Sequence, residues 1–189
     1  MQFTSGKDVK ENLKKILNII RECIKERSDL IITPECTSIM SSDKKELLSK
    51  LNVMEDDIFL KEFRRVCKSN RKWIMLGSII VKISKDTLVN RSILINPNGE
   101  IEKFYDKIHM FDVKLSNSEN YSESKLFQAG TEIETVDLPW GRLGMSICYD
   151  MRFPAMYRKM SQSGAKFFSI PSAFTETTGK KHWHTLLRA

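Results

Sequence analysis

The chain has 189 residues, 41% hydrophobic and 9% aromatic, which is enough apolar surface for one globular domain with a real core and excludes a disordered polymer. Its 31 basic and 24 acidic residues leave a formal charge of +7, but the lysines come in ones and twos with no basic run, so the excess reads as a solvated surface and not as a nucleic-acid footprint. No stretch has the apolar length of a membrane span or a secretory leader, and Cys23, Cys36, Cys67 and Cys148 show no CxxC spacing, so a cytoplasmic chain with reduced thiols and no membrane partner is expected.

Taken in order, the pattern is that of an α/β protein. Over residues 8–27, Leu13, Ile16, Leu17, Ile20, Cys23 and Ile24 recur at the spacing of one helix face, and Asp8 with Glu11 can cap its start. A short buried strand over 30–33 follows, is stopped by Pro34, and leads to a carboxylate, Glu35. A second helix is predicted near 56–69, and the lysine pairs Lys14-Lys15 and Lys44-Lys45 read as wet helix faces. Residues 73–81 and 90–95 read as strands, Asn96-Pro97-Asn98-Gly99 as a turn, and 101–107 as the returning strand, which delivers Lys107 to its end.

Residues 112–130 are polar and lack apolar periodicity, so a long functional or mobile connection is predicted there. A strand over 133–138, a turn at Pro139-Trp140-Gly141 and the apolar run Leu143-Gly144-Met145-Ser146-Ile147 come next. A helix over 153–163, a strand over 166–170 and a last helix over 180–189 complete the pattern. With no repeat and no shift of composition, residues 1–189 form a single domain.

Cys148 is the best candidate for chemistry. It ends the last apolar run and is followed by Tyr149-Asp150-Met151-Arg152-Phe153-Pro154, so a strand-to-helix elbow is predicted, with helix N–H groups favouring a thiolate. Taken singly, a free cysteine is more often a small buried hydrophobe, Glu35 a solvated acid and Lys107 one of many surface lysines. In order, however, the Pro34-Glu35 pair, the segment from Tyr105 through Lys107 and His109 to Phe111-Asp112, and the Ile147-Cys148-Tyr149-Asp150 motif ending in Arg152-Phe153-Pro154 resemble the carbon–nitrogen hydrolase (nitrilase) superfamily.

The segment Pro171-Ser172-Ala173-Phe174-Thr175, with Thr178-Gly179 and His182-Trp183, is similar to the Nit-type branch, which holds deaminated-glutathione amidases and omega-amidases. The opening Gln2-Phe3-Thr4-Ser5, with Asp8 and Asn12, is similar to that branch's start. The resemblance implies an αββα sandwich, with two mixed sheets between helix layers, and a triad of Glu35, Lys107 and Cys148. It also implies that Glu123, a second glutamate near the site, and Tyr149, Phe174, Thr175, His182 and Trp183 are substrate-binding candidates. The chemistry implied is hydrolysis of a small anionic amide through a thioester with release of ammonia, needing no metal or organic cofactor.

The same resemblance implies a homodimer packed through helices near the nucleophile. It also implies a domain that continues past Leu187-Arg188-Ala189, so the chain is expected to lack C-terminal strands and the start of its first strand, and a complementing C-terminal fragment is a possible partner. Three departures stand inside the motifs: Asp106 where an arginine is common, and Ala155 and His184 where glutamates are common. An inactive fragment that keeps the fold, or half of a split gene product, is the alternative reading. A zinc hydrolase fits poorly, because His182 and His184 lie two apart on a predicted helix and point to different faces.

Overall fold

The chain enters its first helix through a cap legible in the sequence. In the computed structural model, which describes residues 1–114 and 120–189, α1 (Val9–Lys25) starts where the Asp8 carboxylate accepts the Glu11 N–H at 2.8 Å. It buries Ile16 and Ile20. Strand β1 (Leu30–Ile32), helix α2 (Lys44–Lys50) and helix α3 (Ile58–Asn70) follow, α3 capped by the buried Asp57 carboxylate on Leu60 N–H at 2.8 Å. Then come β2 (Trp73–Lys82), β3 (Leu88–Ile95) and β4 (Ile101–Asp106), which with β1 make a sheet ordered β1-β2-β3-β4. Strand β1 is parallel to β2, and the other pairs are antiparallel.

Strands β5 (Asp112–Lys114) and β6 (Asn120–Ser122) pair antiparallel as a small separate ribbon. The second main sheet holds β7 (Thr135–Leu138), β8 (Gly141–Met145) and β9 (Phe167–Ser169), with β8 central, antiparallel to β7 and parallel to β9. Helix α4 (Pro154–Gln162) connects β8 to β9, and α5 (Glu176–Arg188) ends the chain.

Alternation along the strands sets the layers. Ile74, Leu76, Ile93 and Ile95 of the first sheet face α1 and α3, where they meet Ile16, Ile20, Phe59 and Phe63. The intervening Met75 and Leu94, with Tyr105, pack against Val136, Leu138, Leu143 and Met145 of the second sheet. Gly144 points the other way, toward α4, where an added Cβ would stand 2.8 Å from the Met160 sulfur. The order is helix, sheet, sheet, helix. No helix among the described residues is long and apolar enough to cross a membrane.

Several expectations need correction. The connection over 112–130 is not structureless: it holds the β5–β6 ribbon and a 3-10 turn at Glu123–Lys125, while its positions 115–119 lie outside the described residues. The strands of the ribbon are too short and polar for a period to show. The last helix starts at Glu176 and not near 180, because the Thr175 hydroxyl accepts the Thr178 N–H at 3.3 Å and caps it. The strand before Cys148 ends at Met145, two residues short of the expected run.

Gly77 on β2 lets the two sheets meet at the rim. A Cβ there would lie 1.9 Å from the Thr33 carbonyl oxygen and 2.6 Å from Pro171 Cβ, the residues that lead into Glu35 and Ala173. Gly77→Ala is therefore expected to lower the unfolding free energy by about 1–3 kcal/mol in a denaturant titration, the usual cost of overpacking. Gly6→Ala, whose Cβ would meet nothing closer than 3.7 Å, is the control and should leave the midpoint unchanged.

Candidate active site

Past β8, Ser146 and Ile147 carry the chain to Cys148, which has a left-handed backbone with φ of +47°. A side chain in that region is strained by about 1–3 kcal/mol and must be held. The Cys148 N–H donates to the Pro171 carbonyl at 2.9 Å, and the Ile147 N–H to Asp150 Oδ2 at 2.8 Å. A 3-10 turn, Cys148–Arg152, follows, and α4 begins only at Pro154. The elbow is thus a tight turn and not a helix start, so no aligned helix N-terminus stands behind the sulfur. Burial, then the neighbouring Glu35 carboxylate, push the Cys148 thiol well above its ordinary value. The helix N–H groups expected to favour a thiolate are therefore not supplied by this turn, and the surroundings favour the thiol over the thiolate.

Asp150 joins this elbow to the lysine segment. Its fully buried carboxylate accepts the Tyr105 hydroxyl at 2.7 Å on Oδ2 and the His109 N–H at 3.1 Å on Oδ1, with His109 Nδ1 at 2.7 Å from the same Oδ1. The His109 ring stacks on Phe153 with centroids 3.6 Å apart. Tyr105 and His109 are therefore both anchored, and Lys107 lies between them.

Lys107 is 2% exposed. Its Nζ donates to Glu35 Oε1 at 2.8 Å and to both Glu123 oxygens at 3.0 and 2.9 Å. Burial alone would strip its proton, but the Glu35 and Glu123 carboxylates outweigh that and hold the ammonium above the usual lysine range. Two carboxylates on one ammonium leave a net negative cluster, which N–H donors offset. The Ala173 N–H binds Glu35 Oε2 at 2.9 Å, the Phe111 N–H binds Glu123 Oε2 at 2.7 Å, and Asn90 Nδ2 reaches Glu35 Oε1 at 3.1 Å and Glu123 Oε1 at 3.3 Å.

Glu35, Lys107 and Cys148 open onto one cavity of about 620 Å³. Of the substrate-binding candidates, Glu123, Tyr149, Phe174, Thr175 and His182 also line it. Glu123 is committed to Lys107, and the Thr175 hydroxyl is committed to capping α5. Trp183 does not line the cavity: it packs behind Phe174, ring centroids 4.6 Å apart, because Gly179 leaves room for the Phe174 ring against α5. Burial, then the nearby Arg152, push His182 below its ordinary value.

Sequence reasoning missed Asn90, Ala173 and the roles of Asp150 and Arg152. Asn90, Arg91 and Ser92 are consecutive polar residues in a fully buried strand, a signal available without coordinates. Arg152 lines the cavity, sits 5.8 Å above the Tyr149 ring, and has no carboxylate partner among the described residues.

The departures fall outside the cavity. Asp106 is opposite Arg91 in the β3–β4 register and takes a two-pronged ion pair from it at 2.6 and 2.7 Å, the guanidinium lying 4.2 Å over Phe104. Ala155 and His184 are exposed and line no part of the cavity. Among the described residues no group of three or more His, Cys, Asp or Glu side chains is arranged to hold a metal ion.

Because its thiol is pushed upward, alkylation of Cys148 by iodoacetamide, followed by peptide mapping, should climb through pH 9.0 without levelling. A plateau near neutral pH would reveal a resting thiolate and contradict the electrostatics of the site.

The carbon-nitrogen hydrolase family matches residues 1–189. The chain is 35% identical over 192 residues to a deaminated glutathione amidase of Yersinia enterocolitica, an alignment covering 100% of this chain and 66% of that protein. It is 32% identical over 190 residues to omega-amidase NIT3 of Saccharomyces cerevisiae, covering 98% of this chain and 65% of that one. Among solved structures, the Caenorhabditis elegans NitFhit protein superposes with a TM-score of 0.90 at 34% identity, over 99% of this chain and 46% of that chain. Saccharomyces cerevisiae Nit3, a member of branch 10 of the nitrilase superfamily, superposes with a TM-score of 0.83 at 27% identity, over 97% and 66%. In each case the chain spans less than two thirds of the relative's own length. Matched by the family along its whole length and folded as the sandwich of that superfamily, the chain belongs to the carbon–nitrogen hydrolases.

Proposed function

We propose that this chain carries the active centre of an amidase that hydrolyses the C–N bond of a small anionic linear amide through a thioester on Cys148, releasing ammonia. The observation that carries the reading is the convergence of the Cys148 thiol, the Glu35 carboxylate and the buried Lys107 ammonium on one cavity. The amidase names of the relatives support the reaction class.

In this reading Glu35 takes the proton as the Cys148 sulfur attacks the amide carbon, since a thiol pushed upward by its surroundings needs a base at the moment of attack. Lys107 cannot serve as that base, because two carboxylates hold it charged. It presents a fixed positive charge where the oxyanion of the tetrahedral intermediate forms, a role typically worth about 3 kcal/mol of barrier per donor. Glu35 then returns the proton to the departing nitrogen, and ammonia leaves. Water attacks the thioester carbon, Glu35 accepts the water's proton, and the carboxylic acid departs as the thiol is restored. Glu123 keeps Lys107 aligned and holds the ribbon end through the Phe111 N–H.

Arg152 supports an anionic substrate. A guanidinium that lines the cavity with no carboxylate partner among the described residues is suited to bind one supplied by the ligand, and it stands 5.8 Å over the Tyr149 ring.

Replacing Cys148 by alanine should abolish ammonia release from any amide the protein turns over, measured by a coupled ammonia assay. Arg152→Ala should raise KM about 10-fold or more for amides bearing a carboxylate, as expected for one lost charge-assisted hydrogen bond, and leave a neutral amide unaffected. Equal losses on both substrates would remove Arg152 from anion recognition.

A further inference from the structure

Asn90 is fully buried on β3, facing the cluster formed by Lys107, Glu35 and Glu123. Its amide nitrogen donates to both carboxylates, to Glu35 Oε1 at 3.1 Å and to Glu123 Oε1 at 3.3 Å, while its backbone carbonyl accepts the Lys107 N–H at 2.9 Å. All three members of the charged cluster are thus held by one residue. The amide orientation is forced by chemistry: turned over, the carbonyl would face two carboxylate oxygens.

The arrangement has a cost. Asn90 Oδ1 is buried without a protein partner, one of only two such side-chain atoms among the described residues. A buried acceptor left this way costs about 1–3 kcal/mol, and an apolar residue of the same volume would avoid it. Packing therefore does not explain an asparagine here, and the two N–H bonds do.

We infer that Asn90 is the positioning residue that selects which oxygen of Glu35 acts as base. This rests on the amidase reading above. Glu35 and Glu123 repel each other, and both press on the same ammonium. The Asn90 amide lies between them and, with Lys107, fills Glu35 Oε1. Oε2 keeps a single donor, the Ala173 N–H, the same amide that lies against the Cys148 thiol. With Oε1 filled by two donors, Oε2 is the oxygen left to take the thiol proton, and it shares the Ala173 amide with the sulfur. Without the amide bridge the two carboxylates are free to exchange oxygens on Lys107, and Glu35 loses its fixed orientation.

The test uses Asn90→Leu, Asn90→Asp and the exchange variant Asn90→Asp with Glu123→Gln, which restores two carboxylates and one amide around Lys107 with places swapped. Asn90→Leu should lower kcat at least about 10-fold with KM within about 3-fold, since the lost contact orients a catalytic group and does not touch substrate. Asn90→Asp should lower kcat further and also lower Tm, because it sets a third carboxylate on one ammonium. The exchange variant should recover at least about 10-fold in kcat over Asn90→Asp, together with most of the Tm, a rescue that a purely structural asparagine would not give. An Asn90→Leu protein with kcat within about 2-fold of the unaltered chain would overturn the inference, as would an exchange variant no better than Asn90→Asp.

Should Asn90→Leu fail to fold, the Asp and exchange pair decides. If the unaltered protein releases no ammonia from any small amide, the amidase reading fails by itself. Tm then decides for Asn90: a fall in Asn90→Asp reversed by exchange supports the amide bridge, and unchanged values overturn it.

Discussion

A lysine ammonium taken out of water survives only beside carboxylates, and the rim of this sandwich is arranged around that constraint. Lys107 stands at the end of β4, and its counter-charges arrive from the turn after β1 and from the 3-10 turn after β6. The pair is weak evidence of stability, because the penalty of burying the charges consumes most of the attraction. What it secures is geometry. Removing either acid would leave charge stranded in a nearly dry site, so the three segments are obliged to meet. The cavity, the base and the fixed positive charge all follow from that one meeting.

The same electrostatics divides labour among the polar side chains. Lys107 is held charged and is unfit to accept a proton, whereas Cys148 is held neutral and is unfit to attack alone. In the amidase mechanism proposed above, a fixed positive charge and a thiol that is deprotonated on demand are complementary parts of acyl transfer. Asp106 belongs to another system: Arg91 answers its reversed charge across the strand pair.

Much of this was legible before any coordinates. The α1 face and the β2, β3 and β4 run show plainly, because long elements repeat their period several times. The short polar β5 and β6 offer no such repetition, and α5 was placed late because its cap, Thr175, was assigned to substrate. The triad residues were named from their motifs, and the cavity holds all three. Trp183 does not line the cavity but packs behind Phe174, a placement that the motif alone does not reveal. Asn90 went unread because its partners lie 55 and 33 residues away, and the helix after Cys148 was expected because a tight turn ending in proline looks the same from sequence.

The Asp150 carboxylate also bears on how the molecule comes together. Through Tyr105 it closes a contact 45 residues long between the two sheets, and Glu35 closes one of 138 residues with the Ala173 amide. Such distant closures come late in folding, after each sheet has gained its local pairings. The first sheet with its helices holds Lys107 but not its anchor, since the Asp150 carboxylate that fixes Tyr105 and His109 comes from the turn after β8. Opening involves the same contacts: a fluctuation that separates the sheets breaks the Asp150 bonds to Tyr105 and His109, and so loosens the Cys148 elbow and the lysine segment together.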